Sequence, residues 1–267
     1  MRAHACILAS LLLGVTGPSL VSAPAFAVED ARTTQWRRGR AAAWAGPSLA
    51  RGSLDFEAPT ALVRTRVDGV PSVSLGADLW PLETVGFRLA ADVGLGADLE
   101  VPGTRETLRF NRHTVEGLAR YRFFLDARSD ALAVLVGTGV RVERHDVRAQ
   151  EPALLVDRLL AGPVVTAAVD APLLEGDLVL RAEGFASLPF FVQESPRDSG
   201  DPRGFFGWGV RAEMTWRLMG PWGLAAALEW SQVRIDFEGE GTRVNGTPES
   251  STDDSFLRGR LGALWAF

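Results

Sequence analysis

From residue 71 to the end of the chain, apolar and polar side chains alternate with a period of two. Val73, Leu75, Ala77 and Leu79 interleave with Ser72, Ser74, Gly76 and Asp78. A tight turn at Pro81–Glu83 leads into Val85, Phe87, Leu89, Ala91, Val93 and Leu95, interleaved with Gly86, Arg88, Ala90, Asp92 and Gly94. Successive side chains of a strand point to opposite faces, so each segment predicts a strand with one apolar and one polar face. In 107–125, Val115, Ala119, Tyr121, Phe123 and Leu125 oppose Thr114, Glu116, Arg120 and Arg122. In 131–147, Leu132, Val134, Val136, Val140 and Val142 oppose Ala133, Gly137, Gly139, Arg141 and Glu143. Residues 178–192 set Leu180, Ala182, Ala186 and Leu188 against Arg181 and Glu183, whereas 154–169 is apolar on both faces and leaves its register open.

The clearest hairpin is Gly204–Trp230. Phe206, Trp208, Val210, Ala212, Met214, Trp216 and Leu218 share one face; Met219-Gly220-Pro221 breaks the run; Trp222, Leu224, Ala226, Leu228 and Trp230 resume it. Folding about Gly220 places Trp216 near Trp222 and Trp208 near Trp230, two tryptophan rungs eight residues apart. Eight residues span ~27 Å of strand, or ~21 Å of height at ~40° tilt, close to the ~25 Å apolar band of a membrane barrel. Indole rings favour both interfaces of a membrane, and a soluble core has no need of large aromatics at both ends of a face.

The whole pattern predicts an all-β chain of ten antiparallel strands in an up-and-down transmembrane barrel, with eight or twelve as alternatives that turn on the first segment. That segment, 41–56, alternates poorly and contains Pro47. Short turns are expected at 81–83, 126–130, 171–176 and 219–221, and longer loops at 57–70, 97–106, 193–203 and 239–253. Residues 61–67 are also able to prolong the flanking strands beyond the membrane. No stretch after residue 27 is apolar for the ~18 residues a transmembrane helix needs.

Met1–Ala27 reads as a secretory signal peptide, with Arg2 and His4 before the apolar Ile7–Val15 and Ala25-Phe26-Ala27 at the cleavage site. Residues 28–40 read as a short periplasmic lead, and 41–267 as the barrel. Cys6, the single cysteine, lies inside the signal, so the mature protein forms no disulfide and no thiolate metal site. Every lysine/arginine position of the mature chain is arginine, and the net charge of −5 leaves no basic footprint for nucleic acid.

The signal peptide, the alternating strands, the aromatic positions Trp208, Trp216, Trp222, Trp230 and Trp265, and the final Leu261-x-Ala263-x-Trp265-x-Phe267 together resemble the Gram-negative outer-membrane β-barrels. The resemblance implies residence in the outer membrane, contact with its lipid and lipopolysaccharide, and recognition of the terminal strand (Leu261, Ala263, Trp265, Phe267) by the barrel-assembly machinery. It is architectural and selects no functional subfamily.

Candidate chemistry lies on the inward face. Arg141-x-Glu143, Arg181-x-Glu183 and Arg211-x-Glu213 repeat one spacing, and Asp78, Arg88, Asp92, Glu116, Arg120, Arg122, Arg217, Glu229, Arg258 and Arg260 join them. Their nearly balanced signs favour a lumen packed with paired charges over the single-sign ring of a selective pore. The hairpin register sets Arg211 opposite Glu229, and the turn at 81–83 brings Asp78 near Arg88. His113 and His145 fall towards the external strand ends, with Asp146 and Asp157 near the second, and read as solvated rim residues. Omptin-like proteases place Asp/His pairs at that level, but the matching sequence context is absent. The acidic positions Asp198, Asp201, Glu238, Glu240, Asp253 and Asp254 read as a solvated rim and fit no defined calcium loop. The expectation is a non-enzymatic barrel with a filled, charged lumen and a structural or surface-binding role, without cofactor or metal and with ligand unknown. The alternatives are a narrow channel for small solutes and an omptin-like hydrolase.

Overall fold

The structure, a computed structural model, describes residues 41–59, 61–100, 107–126, 131–148, 155–195, 199–239, 241–243 and 249–266. The expected signal peptide, the lead and Phe267 lie outside the described residues. The described strands are β1 (Ala41–Ala58), β2 (Ala61–Leu79), β3 (Val85–Gly94), β4 (Ala97–Glu100), β5 (Thr107–Phe124) and β6 (Ala133–Arg148). They continue with β7 (Asp157–Leu173), β8 (Leu178–Ser187), β9 (Phe191–Ser195), β10 (Asp201–Met219), β11 (Trp222–Glu238) and β12 (Glu249–Ala266). All pairings are antiparallel, and β12 pairs with β1 along its length, from Ala42 opposite Ala266 to Glu57 opposite Ser251. Both β3 and β4 pair with β5, and both β8 and β9 pair with β7, so each of these couples forms one broken stave. The result is a closed barrel of ten staves, in the order β3-β2-β1-β12-β11-β10-β8-β7-β6-β5 and back to β3. Closure leaves no strand edge to pair with another chain.

The staves are longer than the membrane requires. At ~3.4 Å per residue and ~40° tilt, the 18 residues of β1 climb ~47 Å, against an apolar band of ~25 Å. The surplus explains why the long loop expected at 57–70 is instead the top of a continuous hairpin, with Ala58 opposite Ala61. In its lower half, β2 exposes Val73, Leu75 and Leu79 to lipid and buries Ser72 and Ser74. In its upper half it buries Val63, Thr65 and Val67 and exposes Arg64 and Arg66. The two faces exchange polarity where lipid gives way to water. Asp68 and Gly69 are absorbed as a bulge opposite Arg51, between the pairs Ala50–Val70 and Gly52–Val67, which shifts the inward parity of β2 from odd to even residues; Gly69 meets its φ of +71°. A second left-handed glycine, Gly96 with φ +97°, marks the break between β3 and β4. The loops expected at 97–106, 193–203 and 239–253 are shortened in the same way by β4, by β9 and the start of β10, and by β12 from Glu249.

The outer surface carries the aromatic positions. Trp208 and Trp230 meet edge to face at 4.6 Å, and Trp222 packs on Trp265 at 6.5 Å. Trp216 lies opposite Leu224, and a bulge between Arg217 and Met219 offsets Trp222, so the lower rung is completed from β12 and not from Trp216 as expected. Ala41, Ala266 and the turns at 80–84, 174–177 and 220–221 share one end of the barrel. In bacterial barrels the short turns face the periplasm.

Candidate functional site

The inward side chains stack in three levels. Burial of a charge is costly unless partners satisfy it, so the test of each level is where its hydrogen bonds go.

At the middle level Arg211 (β10) holds three carboxylates. Its Nε donates to Glu229 Oε2 at 2.7 Å, and its Nη1 to Glu116 Oε1 at 3.1 Å and Glu183 Oε1 at 2.9 Å. Arg141 (β6) donates to Glu116 at 3.3 Å and to Glu229 at 3.0 Å. Arg258 (β12) donates to Glu229 at 2.7 Å and to Asp92, which also accepts Ser48 Oγ at 3.1 Å. The Phe185 ring lies under the guanidinium groups of Arg141 and Arg211 at 4.8 and 5.6 Å. The fixed fork of arginine suits such shared pairing, and the ring faces add cation–π attraction.

At the periplasmic level Arg88 (β3) reaches Glu213 (β10), with Nη1 donating to Oε2 at 2.8 Å, and Arg260 donates to the same carboxylate at 2.6 Å. Arg181 forks onto Asp170 at 2.6 and 2.8 Å, and Arg120 pairs with Asp78. Asp78 and Arg88 are register partners, yet their ion pairs go elsewhere, across the lumen and not along the wall. Arg122 donates to the Glu83 carbonyl at 2.8 and 3.1 Å, and Arg217 to Asp177 at 2.9 Å. Trp44 and Trp80 point inward here; Arg88 and Arg260 lie over the first at 5.0 and 4.9 Å, Arg120 and Arg122 over the second at 5.3 and 4.1 Å. A cavity of about 170 Å³ opens at this mouth.

At the external level Glu143 accepts Arg112 Nε at 2.8 Å and lies 2.8 Å from His145 Nε2. Asp254 accepts Arg158 at 2.6 Å and lies 3.5 Å from His145 Nδ1. Arg158 also donates to Glu194 at 3.2 Å. His145 is 3% exposed and tilted against Phe110 and Phe256, which stack on each other at 6.2 Å. The expectation of a solvated rim therefore fails for His145 and for Asp254: both sit on the inward face, which here is filled by Leu54, Val67, Leu99 and the two phenylalanines. His113 faces outward, partly exposed, 3.4 Å from Asp146. Above this level Arg243 stacks on Phe56 at 3.8 Å and donates to Ser199 Oγ at 3.2 Å; burial pushes its pKa down to about 10. Among the described residues no three His, Asp or Glu side chains converge as metal ligands.

All sixteen charged lumen positions named from the sequence face inward, but their partners include residues that alternation did not single out. Asp170 directly follows the segment apolar on both faces; Arg112, Arg158 and Glu194 lie where polarity has inverted; Trp44, Trp80 and Phe185 were hidden among apolar or poorly alternating neighbours. Alternation reveals which face a residue takes and nothing of the azimuth it reaches across.

No protein-family model and no curated protein matches the chain. Solved structures do. The outer-membrane protease OmpT of Escherichia coli is similar at 12% identity with a TM-score of 0.57, over 85% of this chain and 97% of that one. The outer-membrane protein OprG of Pseudomonas aeruginosa is similar at 13% identity with a TM-score of 0.43, over 86% and 96%. The outer-membrane protein AlkL is similar at 10% identity with a TM-score of 0.44, over 93% and 97%. At such identities the likeness to OmpT concerns the fold, and it agrees with the closed ten-stave barrel and its lipid-facing apolar band.

Proposed function

We propose that this Gram-negative outer-membrane β-barrel neither conducts solutes nor catalyses a reaction, and that it acts as a rigid, filled stalk holding its external hairpins at the cell surface in a structural or surface-binding role. One observation carries the reading. Arg88 on β3 and Glu213 on β10 are five staves apart in a ring of ten, diametrically opposite, and they are directly hydrogen-bonded. At the external level His145 on β6 and Asp254 on β12 are likewise five staves apart and 3.5 Å from each other. Side chains that meet across the axis at two heights support a lumen closed to a continuous water path. The gap lined by Arg141 and Glu143 holds about 20 Å³, about the space of one water.

The omptin-like reading needs an Asp/His pair that reaches water and substrate together at the external mouth. His145 is sealed between two phenylalanine rings, and His113 faces away from the lumen. Proteoliposomes in an isotonic solution of a small sugar test the proposal. They should swell no faster than protein-free liposomes; swelling that scales with the amount of folded barrel would sink the closed-lumen reading in favour of a narrow channel.

A further inference from the structure

We infer that the periplasmic mouth of the barrel is a binding site for a small oxyanion, phosphate or carboxylate, taken up from the periplasmic side. The cavity there, about 170 Å³, is lined by Trp44, Trp80, Arg181, Arg260, Asp78 and Glu213 among others. Its carboxylates each take an arginine: Asp78 takes Arg120, Asp170 takes Arg181, Asp177 takes Arg217, and Glu213 takes both Arg88 and Arg260. Its donors are not all taken. Trp44 Nε1 and Arg260 Nε are buried with no acceptor within hydrogen-bond reach among the described residues, and the same holds for Arg88 Nε, against Trp44, and for Nε and Nη1 of Arg120, against Trp80. At this level every buried side-chain group without a partner is therefore an N–H, and none is a carboxylate oxygen.

A buried donor without an acceptor is costly, and a ligand that only accepts removes that cost while adding charge-assisted hydrogen bonds. Trp44, 6% exposed, is clamped by the guanidinium groups of Arg88 and Arg260 over its ring, so its indole N–H is held in place before any ligand arrives. The levels above the mouth do not depend on this site, so its failure would leave the closed lumen untouched.

The test uses the full folded barrel in detergent micelles with ¹⁵N-labelled tryptophan, titrated with sodium phosphate and separately with sodium acetate, against sodium chloride at equal ionic strength. The Trp44 indole signal, assigned by its loss in Trp44→Phe, should shift saturably with one oxyanion or both, and the stronger of the two names the ligand chemistry. By calorimetry Trp44→Phe and Arg260→Lys should each bind that anion about tenfold more weakly, with unchanged mobility of the unheated protein on gels. A Trp44 signal that follows ionic strength alone, or unchanged affinity in Trp44→Phe, would overturn the assignment.

Discussion

Replacing Arg211 by Met should destabilise the barrel chiefly through one of its three carboxylates. Glu229 keeps Arg141 at 3.0 Å and Arg258 at 2.7 Å, and Glu116 keeps Arg141 at 3.3 Å. Glu183, whose side chain is 1% exposed, keeps no ion pair among the described residues once Arg211 is gone. A buried charge stripped of its partner costs ~3–5 kcal/mol, so Arg211→Met should weaken folding by two to three decades or more at ~1.4 kcal/mol per decade. Adding Glu183→Gln removes the stranded charge and should recover ~2 kcal/mol or more of that loss. Adding Glu229→Gln instead removes the charge that Arg141 and Arg258 share and one of its two acceptor oxygens, and should deepen the loss. Glu183→Gln alone leaves Arg211 with Glu116 and Glu229 and should cost only ~1–2 kcal/mol. The assay is urea unfolding of the refolded barrel in lipid vesicles, followed by tryptophan fluorescence and by the mobility of unheated protein on gels. If Glu183→Gln gives no rescue in the Arg211→Met background while acting additively with it, the shared middle level is wrong.

The wall makes two further predictions. A Cβ on Gly139 would lie 1.8 Å from the Gly117 carbonyl oxygen, backbone that has nowhere to move, so Gly139→Ala should abolish the folded, heat-modifiable form; Gly117→Ala, whose Cβ meets nothing within 4 Å, should fold normally. Leu228, 54% exposed on the lipid face between the two tryptophan levels, should tolerate no charge: Leu228→Arg should cost ~2–4 kcal/mol in the same urea assay, and a neutral result would move that face out of the membrane.

Alternation was readable wherever one face of a stave meets lipid, because there the wall has only one way to place its apolar side chains. Hence Arg211 opposite Glu229, and Trp208 beside Trp230, follow from counting alone. Above the membrane the rule reverses, and the same parity argument turned Val63, Thr65 and Val67 into a loop and His145 into a rim residue. β1 was obscure for a related reason: its inward face runs from Trp44 and Ser48 through Ala50 to Leu54 and Phe56, polar and apolar by turns with height. The ion pairs that matter most were the least legible. Arg88 sits opposite Asp78 along the wall but is long enough to cross the lumen, and only the ring closure brings β10 and Glu213 within its reach.

The central claim is that side chains from opposite walls close the lumen, and single-channel recording of the purified barrel in a planar lipid bilayer tests it most directly. With the Arg88–Glu213 bridge and the His145–Asp254 contact in place, the folded protein should insert and remain electrically silent, with a general porin in the same bilayer as the positive control. Long-lived openings of fixed size, present with the folded barrel and absent from protein-free bilayers, would contradict it.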